Sequence, residues 1–313
     1  NSDMVVPRGD RGRIPRMRSD EDPYHQVVSD RRARSLLETP AVGVFDVRCF
    51  SPVGAPGSEE RADVTQVVLP MDGLFAVHRG HDEVIADVAS AVILAAGRDY
   101  RVGHPVEGGD RSTVLVFPPE VIEDSLGADP VGGGVVGPRV RLGVHALRST
   151  LRPGSNGVPE AEELALLLLD RICRDLGPQG PSRPPGRHQW RRVQEVRAIL
   201  AAGPGHRWRL EEIARLVHCS PFHLARQFRA MTGESLARYL LRLRLALALE
   251  RLADGETDLA AMAADLGFAS HSHFSARFRS VLGVSPTSVR GSLARGRLAE
   301  LRTIVTAQDR AAS

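Results

Sequence analysis

Two segments of this chain repeat each other at an offset of 50 residues, and this repeat constrains the fold more than any other feature. The first segment is SPFHLARQFRAMTGES (220–235) and the second is SHSHFSARFRSVLGVS (270–285). A shorter helical pattern precedes each one, EEIARLV (211–217) in the first case and LAAMAADL (259–266) in the second. These shorter patterns align with a slip of one position, so the second unit has one extra residue in its turn. Each unit therefore predicts a helix, a tight turn and a second helix.

The residue types that repeat explain how each unit would hold together. The aligned pairs are Ser220/Ser270, His223/His273, Leu224/Phe274, Phe228/Phe278, Arg229/Arg279, Gly233/Gly283 and Ser235/Ser285. Apolar residues four positions apart pin the second helix to the first, and Ala214 and Ala263 are small where the two helices would cross. A glycine ends each second helix. This pattern is typical of the helix-turn-helix unit, whose second helix enters a DNA major groove.

The segment between the two units is SLARYLLRLRLALALERLAD (235–254), which contains no glycine or proline before Gly255. It predicts a long, stiff helix. Such a helix would place both recognition helices in successive major grooves, about 34 Å apart on one face of the duplex.

The charge distribution supports a polyanionic partner for the C-terminal part. The chain contains 41 arginines and no lysine. Residues 1–187 hold 22 arginines against 27 acidic residues, whereas residues 188–313 hold 19 against 11, a net charge of +8. A basic domain behind an acidic one indicates a nucleic-acid partner.

Composition divides the chain into six parts. Five short β-type runs separated by Gly, Pro and Asp predict an antiparallel sandwich or barrel: AVGVFDVRCF, TQVVLP, GLFAVHR, SAVILAA and STVLVFP. The expected parts are a disordered arm (1–22), a β sensor domain (23–130), a helical dimerisation and linking region (131–176), a Pro/Gly linker (177–187), the double helix-turn-helix domain (188–292) and a C-terminal tail (293–313). The fold class is therefore α+β, with an all-α C-terminal domain.

Residues 188–292, about a third of the chain, resemble the AraC/XylS family of bacterial transcription regulators. The residues that carry the resemblance are Arg244-Leu245, Ala248, Leu252, Met262-Ala263, Gly267-Phe268, Phe274, Phe278, Gly283 and Ser285-Pro286. The chain departs from the family at two places. Val289 stands where an aromatic residue often precedes the closing arginine, and Ala276 stands where the second recognition helix often has an arginine.

By position, the resemblance implies which side chains meet DNA. The first recognition helix presents Phe222, Ala225 and Arg226, the second presents His271, Ser272 and Ser275, and Arg229, Arg277 and Arg279 grip phosphates. Arg226 is expected to contact guanine; the alternatives are a phosphate contact or a solvated arginine. Phe222 contacts a thymine methyl or anchors the start of its helix.

The two histidines at 271 and 273 do not predict a metal site. Residues i and i+2 of a helix point about 200° apart, so His271 and His273 cannot bind one ion. His273 is expected to pack against the partner helix, and His271 is placed to donate to a base or a phosphate.

The same resemblance implies a cupin-like β-barrel with flanking helices in the N-terminal part. The candidate metal ligands there are His78, His81, Glu83 and His104, but the HxxH spacing on a strand puts the first two on opposite faces. Three scattered cysteines exclude a disulfide framework and a cysteine-rich zinc cluster, and no G-x-S-x-G turn is present. We therefore expect no cofactor, no metal and no catalytic residue.

A small effector is the expected ligand of the barrel. The segment YRVGHPVEGGD (100–110) supplies the candidate binding residues Tyr100, Arg101, His104 and Asp110; the alternative is an ordinary surface hairpin. The leucine stripe of the helix at 159–176 is expected either to form a homodimer or to cover the β domain.

These features predict a cytoplasmic, sequence-specific transcriptional regulator without a membrane span. Its expected partners are double-stranded promoter DNA, RNA polymerase, a small-molecule effector and a second copy of the chain. Two alternatives remain open at this point, a cupin-type metal enzyme tethered to DNA and a nucleoid-type binder with little sequence preference.

Overall fold

The computed structural model describes residues 31–50, 52–54, 56–80, 82–127, 132–152, 157–177 and 186–307. The arm predicted at 1–22 and most of the predicted linker lie outside these residues. The strands are β1 (Arg31–Glu38), β2 (Gly43–Cys49), β3 (Glu60–Arg61), β4 (Gln66–Gly73), β5 (Phe75–Arg79), β6 (Asp82–Ala86), β7 (Ser90–Leu94), β8 (Asp99–Gly103), β9 (Asp110–Val116) and β10 (Gly132–Val135).

The helices follow the strands in the chain, except that α1 precedes β10. They are α1 (Pro119–Leu126), α2 (Pro138–Thr150), α3 (Val158–Leu176), α4 (Arg187–Ala202), α5 (Leu210–Leu216), α6 (Pro221–Thr232), α7 (Leu236–Ala253), α8 (Leu259–Asp265), α9 (His271–Leu282), α10 (Pro286–Ala294) and α11 (Leu298–Thr306). Among the helices that the structure describes, none combines the length and the apolar run that a bilayer crossing requires.

The N-terminal domain consists of two facing antiparallel sheets. One has the strand order β1-β2-β9-β4-β7-β10 and the other has the order β3-β8-β5-β6. The inner faces share an apolar core that includes Phe45, Phe75, Val92 and Val114. The sheets remain open at their edges, so the prediction of a closed barrel is wrong. A helix covers one of these edges, because the side-chain oxygen of Gln194 in α4 accepts a hydrogen bond from the Ile85 amide of β6 at 2.9 Å.

The five β-type runs of the sequence correspond to β2, β4, β5, β7 and β9. Strand β10 (Gly132–Val135) lies inside the region predicted to be helical, which corrects that boundary. Its glycines carry no alternating pattern, and the strand forms because it pairs with β7. A Cβ on Gly133 would lie 2.9 Å from the Ala91 carbonyl oxygen, so the close pairing needs glycine there.

Helix α2 lies at the centre of the molecule and is buried on all sides over residues 138–147. It contacts α3, α7 and α11. The Arg139 guanidinium donates to the carbonyl oxygens of Val281 at 3.0 Å, Leu282 at 3.2 Å and Ile304 at 2.5 Å. A buried arginine of the N-terminal part thus satisfies carbonyls at the C-terminal end of α9, where the helix has no partners of its own.

The leucine stripe of α3 is covered within the chain. Leu164, Leu168 and Ile172 are fully buried, and α3 contacts α1, α2, α11 and β10. Of the two expectations for this stripe, the structure supports cover within the chain, because the apolar face already packs against these elements.

The end of the described chain is a packed helix rather than a tail. Helix α11 buries Leu301, Ile304 and Val305, whose spacing of three and four residues puts them on one face. This face contacts α2, α3 and α10. One apolar core therefore runs from the N-terminal sheet through α2 and α3 to the second helix-turn-helix unit.

Candidate nucleic-acid interface

The two recognition helices, α6 and α9, begin and end in the same way. Ser220 Oγ accepts from the His223 amide at 3.3 Å, and Ser270 Oγ accepts from the His273 amide at 3.1 Å. Each helix ends at a glycine in the left-handed conformation, with φ of 77° at Gly233 and 83° at Gly283. The repeat in the sequence is thus a repeat in the backbone.

The inward faces of the two units are equally well packed. Leu224, Phe228, Phe274 and Phe278 are each fully buried, which confirms their prediction as core residues. The rings of Phe274 and Phe278 lie 5.7 Å apart, and Phe228 lies 5.4 Å from Tyr239 of α7. Ala214 and Ala263 are 1% exposed, as small residues at a helix crossing must be.

The turns between the helices differ by one residue, as the sequence alignment predicts. Four residues separate α5 from α6, and five separate α8 from α9. In the first turn His218 takes a φ of 49°, whereas in the second turn Gly267 takes a φ of 73°. Left-handed backbone is strained for histidine and free for glycine.

The outward face of α6 carries the predicted contact residues at i, i+3, i+4 and i+7. Phe222 is 78% exposed, so it does not anchor the start of the helix. Arg226 and Arg229 are also exposed, and Ala225 is half-buried. Neither arginine has an ion-pair partner within the described part of the chain. Both guanidinium groups are therefore available to an external anion.

The outward face of α9 has a different chemistry. His271, Ser272, Arg277 and Arg279 are exposed, and Ser275 is half-buried. His271 Nε2 lies 3.2 Å from Ser275 Oγ, so these two side chains form one polar group.

The prediction that His273 packs against the partner helix is wrong. The residue is exposed, and its ring contacts Phe268 in the preceding turn with centroids 5.7 Å apart. It also accepts from Arg277 Nε at 3.4 Å. His271 and His273 therefore have different partners, as expected from their helical spacing.

Helix α7 joins the two units. Its 18 residues give a length of about 27 Å. From its middle, Arg244 donates to the carbonyl oxygens of Pro204 at 2.8 Å, His206 at 2.9 Å and Gly267 at 3.1 Å. One side chain thus ties the loop before α5 to the turn before α9. In the sequence, Arg244 is one of the residues that carry the resemblance to the AraC/XylS family, and its role in joining the units was not predicted.

A buried polar cluster connects the first unit to the N-terminal domain. Arg197 of α4 lies 3.3 Å from the Asp87 carboxylate and donates to Tyr239 Oη at 3.2 Å and to Ser90 Oγ at 2.7 Å. Tyr239 also donates to Asp87. Burial and the neighbouring Asp87 carboxylate raise the pKa of Tyr239 well above its usual value. The tyrosine therefore keeps its proton, and the cluster anchors the first unit on the β6–β7 turn.

A cavity of about 380 Å³ lies between the two sheets of the N-terminal domain. Of the candidate ligand-binding residues, Tyr100 and Asp110 line it. Arg101 points away from the interior and lies 3.8 Å from Glu59, because alternate residues of β8 face outward. His104 is buried beside Asp110, with 2.8 Å between Nε2 and Oδ1.

Cys49, for which no role was predicted from the sequence, lies beside His104 and Asp110. Donor atoms of Cys49, His104 and Asp110 lie within 4.8 Å of one another. Hydrogen bonds with the side chains of Asp110 and Cys49 raise the pKa of His104 to about 9. Cys49 and Asp110 are 61 positions apart, and only the pairing of β2 with β9 brings them together. The candidate set of His78, His81, Glu83 and His104 does not come together in this way, and His81 lies outside the described residues.

Comparison with known proteins gives a family match in the C-terminal part. A family model described as a helix-turn-helix domain matches residues 213–292. Over 136 residues the chain is 32% identical to an AraC-like transcription regulator from Streptomyces antibioticus, covering 42% of this chain and 44% of that protein. A protein of the same description from Streptomyces lividans is 30% identical over 136 residues, with the same coverage of 42% and 44%. The chain therefore spans less than half the length of the curated relatives it matches.

Among solved structures, the DNA-binding domain of AdpA in complex with a target DNA is 27% identical. It aligns with a TM-score of 0.32 over 33% of this chain and 94% of that chain. The doubled motif and the two sequence matches agree with each other. The C-terminal part of this chain carries a helix-turn-helix domain, and the chain is similar to AraC-like transcription regulators.

Proposed function

We propose that the chain is a sequence-specific transcription regulator that binds promoter DNA with α6 and α9 in successive major grooves. The observation that carries this proposal is the doubled helix-turn-helix. In both units the apolar face is fully buried, and the polar face lies open to solvent. Arg244 and α7 join the two units, which supports a fixed placement of the two recognition helices relative to each other.

The exposed side chains suggest a division of labour in DNA contact. Arg226 is placed to donate two hydrogen bonds to a guanine edge, a contact worth about 1–3 kcal/mol of base discrimination. Phe222 is placed against a thymine methyl group. His271, Ser272 and Ser275 supply shorter and weaker donors in the second half-site, where Ala276 offers no hydrogen bond. Arg229, Arg277 and Arg279 are assigned to phosphates.

The N-terminal domain is assigned the regulatory role. Its two facing sheets and apolar cavity support a cupin-like effector domain, opened at the edges, for a small amphipathic molecule. Tyr100 and Asp110 would contact that molecule, and Arg101 would not. Because the N-terminal domain anchors the first unit through Asp87 and the second through Arg139, an effector could change DNA binding by shifting either anchor.

The proposal extends to partners and location, and it assigns no catalytic role. A homodimer would need a surface other than the buried α3 stripe. Activation of transcription would require contact with RNA polymerase. Such a regulator acts in the cytoplasm of a bacterium, where the promoter DNA is.

The test is selection from a random duplex library with the full chain, at two salt concentrations. The full chain is required because α10 and α11 share a core with α2. We expect a bipartite motif with half-sites about one helical turn apart. Equal binding to all sequences, with only the steep salt dependence of phosphate contacts, would refute sequence specificity.

The matched controls use exposed arginines. Arg226→Ala should relax base preference in one half-site. Arg174→Ala, which alters an exposed arginine on α3 beside Asp170, should leave the motif and the affinity unchanged.

A further inference from the structure

Three side chains of different chemistry meet at one end of the N-terminal cavity. Cys49 and Asp110 are a directly opposed pair at the ends of β2 and β9, so their side chains leave the sheet on the same face. That face is the cavity side, since both residues line the cavity. His104, which follows β8, approaches from the opposite sheet, and its Nε2 lies 2.8 Å from Asp110 Oδ1.

The three groups are held away from water. Cys49 is 4% exposed and His104 is 1% exposed, and the Asp110 side chain is 7% exposed. Ser112 donates to the second carboxylate oxygen of Asp110 at 3.0 Å, which fixes that side chain. The other imidazole nitrogen, His104 Nδ1, is buried and has no hydrogen-bond partner within the described part of the chain. A buried nitrogen of this kind is costly unless something else satisfies it.

We propose that Cys49, His104 and Asp110 bind a divalent cation of the zinc class, with an open coordination position facing the cavity. The donor set selects the ion, because thiolate and imidazole together favour zinc over magnesium or calcium. Donor atoms around tetrahedral zinc lie about 3.3–3.6 Å apart. The donor atoms lie within 4.8 Å of one another in the structure, so zinc binding requires the three side chains to adjust.

Binding of the ion releases protons from two of the three ligands. Cys49 loses its thiol proton, the coordinating nitrogen of His104 is deprotonated, and Asp110 binds as the carboxylate. The protons go to solvent, so affinity rises with pH. Three protein donors leave one position of a tetrahedral ion for water or for a donor atom of a molecule in the cavity.

The proposed site differs from the candidate metal centre considered in the sequence analysis. That centre used His78, His81, Glu83 and His104, and the strand spacing argued against it. The site here shares only His104 with it and depends on a cross-strand pair that the sequence does not reveal.

The test uses full-length, untagged protein freed of metal with a chelator. Titration with zinc chloride in a calorimeter should give one equivalent bound, and the measured heat should change with the ionisation enthalpy of the buffer because protons are released. Titration with Co²⁺ should give the intense d–d absorption of a tetrahedral ion and a thiolate-to-cobalt charge-transfer band. Magnesium chloride should give no binding.

The variants then assign the ligands. Cys49→Ser should abolish the charge-transfer band, and Asp110→Asn should weaken zinc binding by about 100-fold. The matched controls Cys173→Ser and His271→Ala should bind zinc as the unaltered chain does. The proposal is overturned if the unaltered chain binds no zinc, if its cobalt complex lacks the thiolate band, or if binding survives in Cys49→Ser. The cobalt spectrum of the unaltered chain keeps the test decisive even where a variant fails to fold.

Discussion

The two helix-turn-helix units share a scaffold and differ in what holds them and in what they present. Both recognition helices have a serine cap, a left-handed glycine stop and a buried apolar pair. The first unit is anchored on the β6–β7 turn by Arg197 and Asp87, whereas the second is anchored by Arg139 at the end of α9. Repetition has therefore preserved the fold of each unit, while its attachment to the N-terminal domain has diverged.

The exposed faces show the same contrast. Arg226 and Phe222 give the first unit a long donor and a large apolar ring, and both extend into solvent. The second unit has His271 and Ser275 hydrogen-bonded to each other, followed by Ala276. The proposed DNA contacts therefore predict that the first unit specifies sequence more strongly than the second.

The largest expected effect comes from breaking the anchor of the first unit. Asp87→Ala leaves Arg197 buried without its charge partner, which should lower the free energy of unfolding by about 3–5 kcal/mol. The loss should fall mainly on the first unit. The two tryptophans of the chain, Trp190 and Trp208, lie in α4 and in the loop before α5. In urea, tryptophan fluorescence should therefore change at a lower concentration than far-ultraviolet circular dichroism. Coincident transitions would mean that the two units unfold as one.

The matched change at the anchor of the second unit is Arg139→Met in α2. It keeps the length of the side chain but leaves the carbonyls of Val281, Leu282 and Ile304 without their donor. We expect a loss of about 2–3 kcal/mol, and here the circular dichroism change should precede the tryptophan change in urea. If fluorescence and circular dichroism change in the same order in both variants, the two anchors do not act on separate units.

Changes on the exposed faces should affect DNA binding without affecting stability. Arg226→Ala should cost about 1–3 kcal/mol at one base position of the first half-site. Arg229→Ala should instead weaken binding to all sequences alike and reduce the salt slope by about one. Fluorescence anisotropy with matched and mismatched duplexes at several salt concentrations separates these outcomes. A uniform loss in Arg226→Ala would assign that side chain to a phosphate.

The smallest expected effects come from the serine caps, which allow the stabilities of the two units to be compared through the same substitution. Ser220→Ala and Ser270→Ala each remove one acceptor from a helix start and should each cost about 1 kcal/mol. Thermal unfolding of the two variants should give similar shifts, because each serine accepts one hydrogen bond from the amide three residues later. A large difference between them would show that the units are less alike than their backbones.

The repeat made the C-terminal domain predictable from sequence. Short-range chemistry fixes the serine caps, the glycine stops and the phenylalanine pairs, so their positions could be read without knowledge of the rest of the fold. The N-terminal domain was only partly predictable, because β10 is glycine-rich and depends on pairing with β7. The closed barrel was wrong, and the sequence could not decide between the two expectations for the α3 stripe, for a similar reason: α2, α4 and α11 cover surfaces that the sequence alone leaves open.

The polar clusters were beyond sequence reasoning for a different reason. Asp87 and Tyr239 are 152 positions apart, and Cys49 and Asp110 are 61 apart. Neither pair has a local spacing that predicts contact. Their roles follow only from strand register and from the packing of α4 and α7 against the sheet.

The most direct test of the account is a spacing experiment on the selected duplex. Five base pairs are inserted between the two half-sites, and affinity and footprint are measured with the full chain. Because α7 and Arg244 fix the separation of the two recognition helices, we predict a loss of affinity of at least about tenfold, with protection of the first half-site alone. Unchanged affinity, or protection of both half-sites after the insertion, would contradict the claim that the two units bind one face of the duplex together.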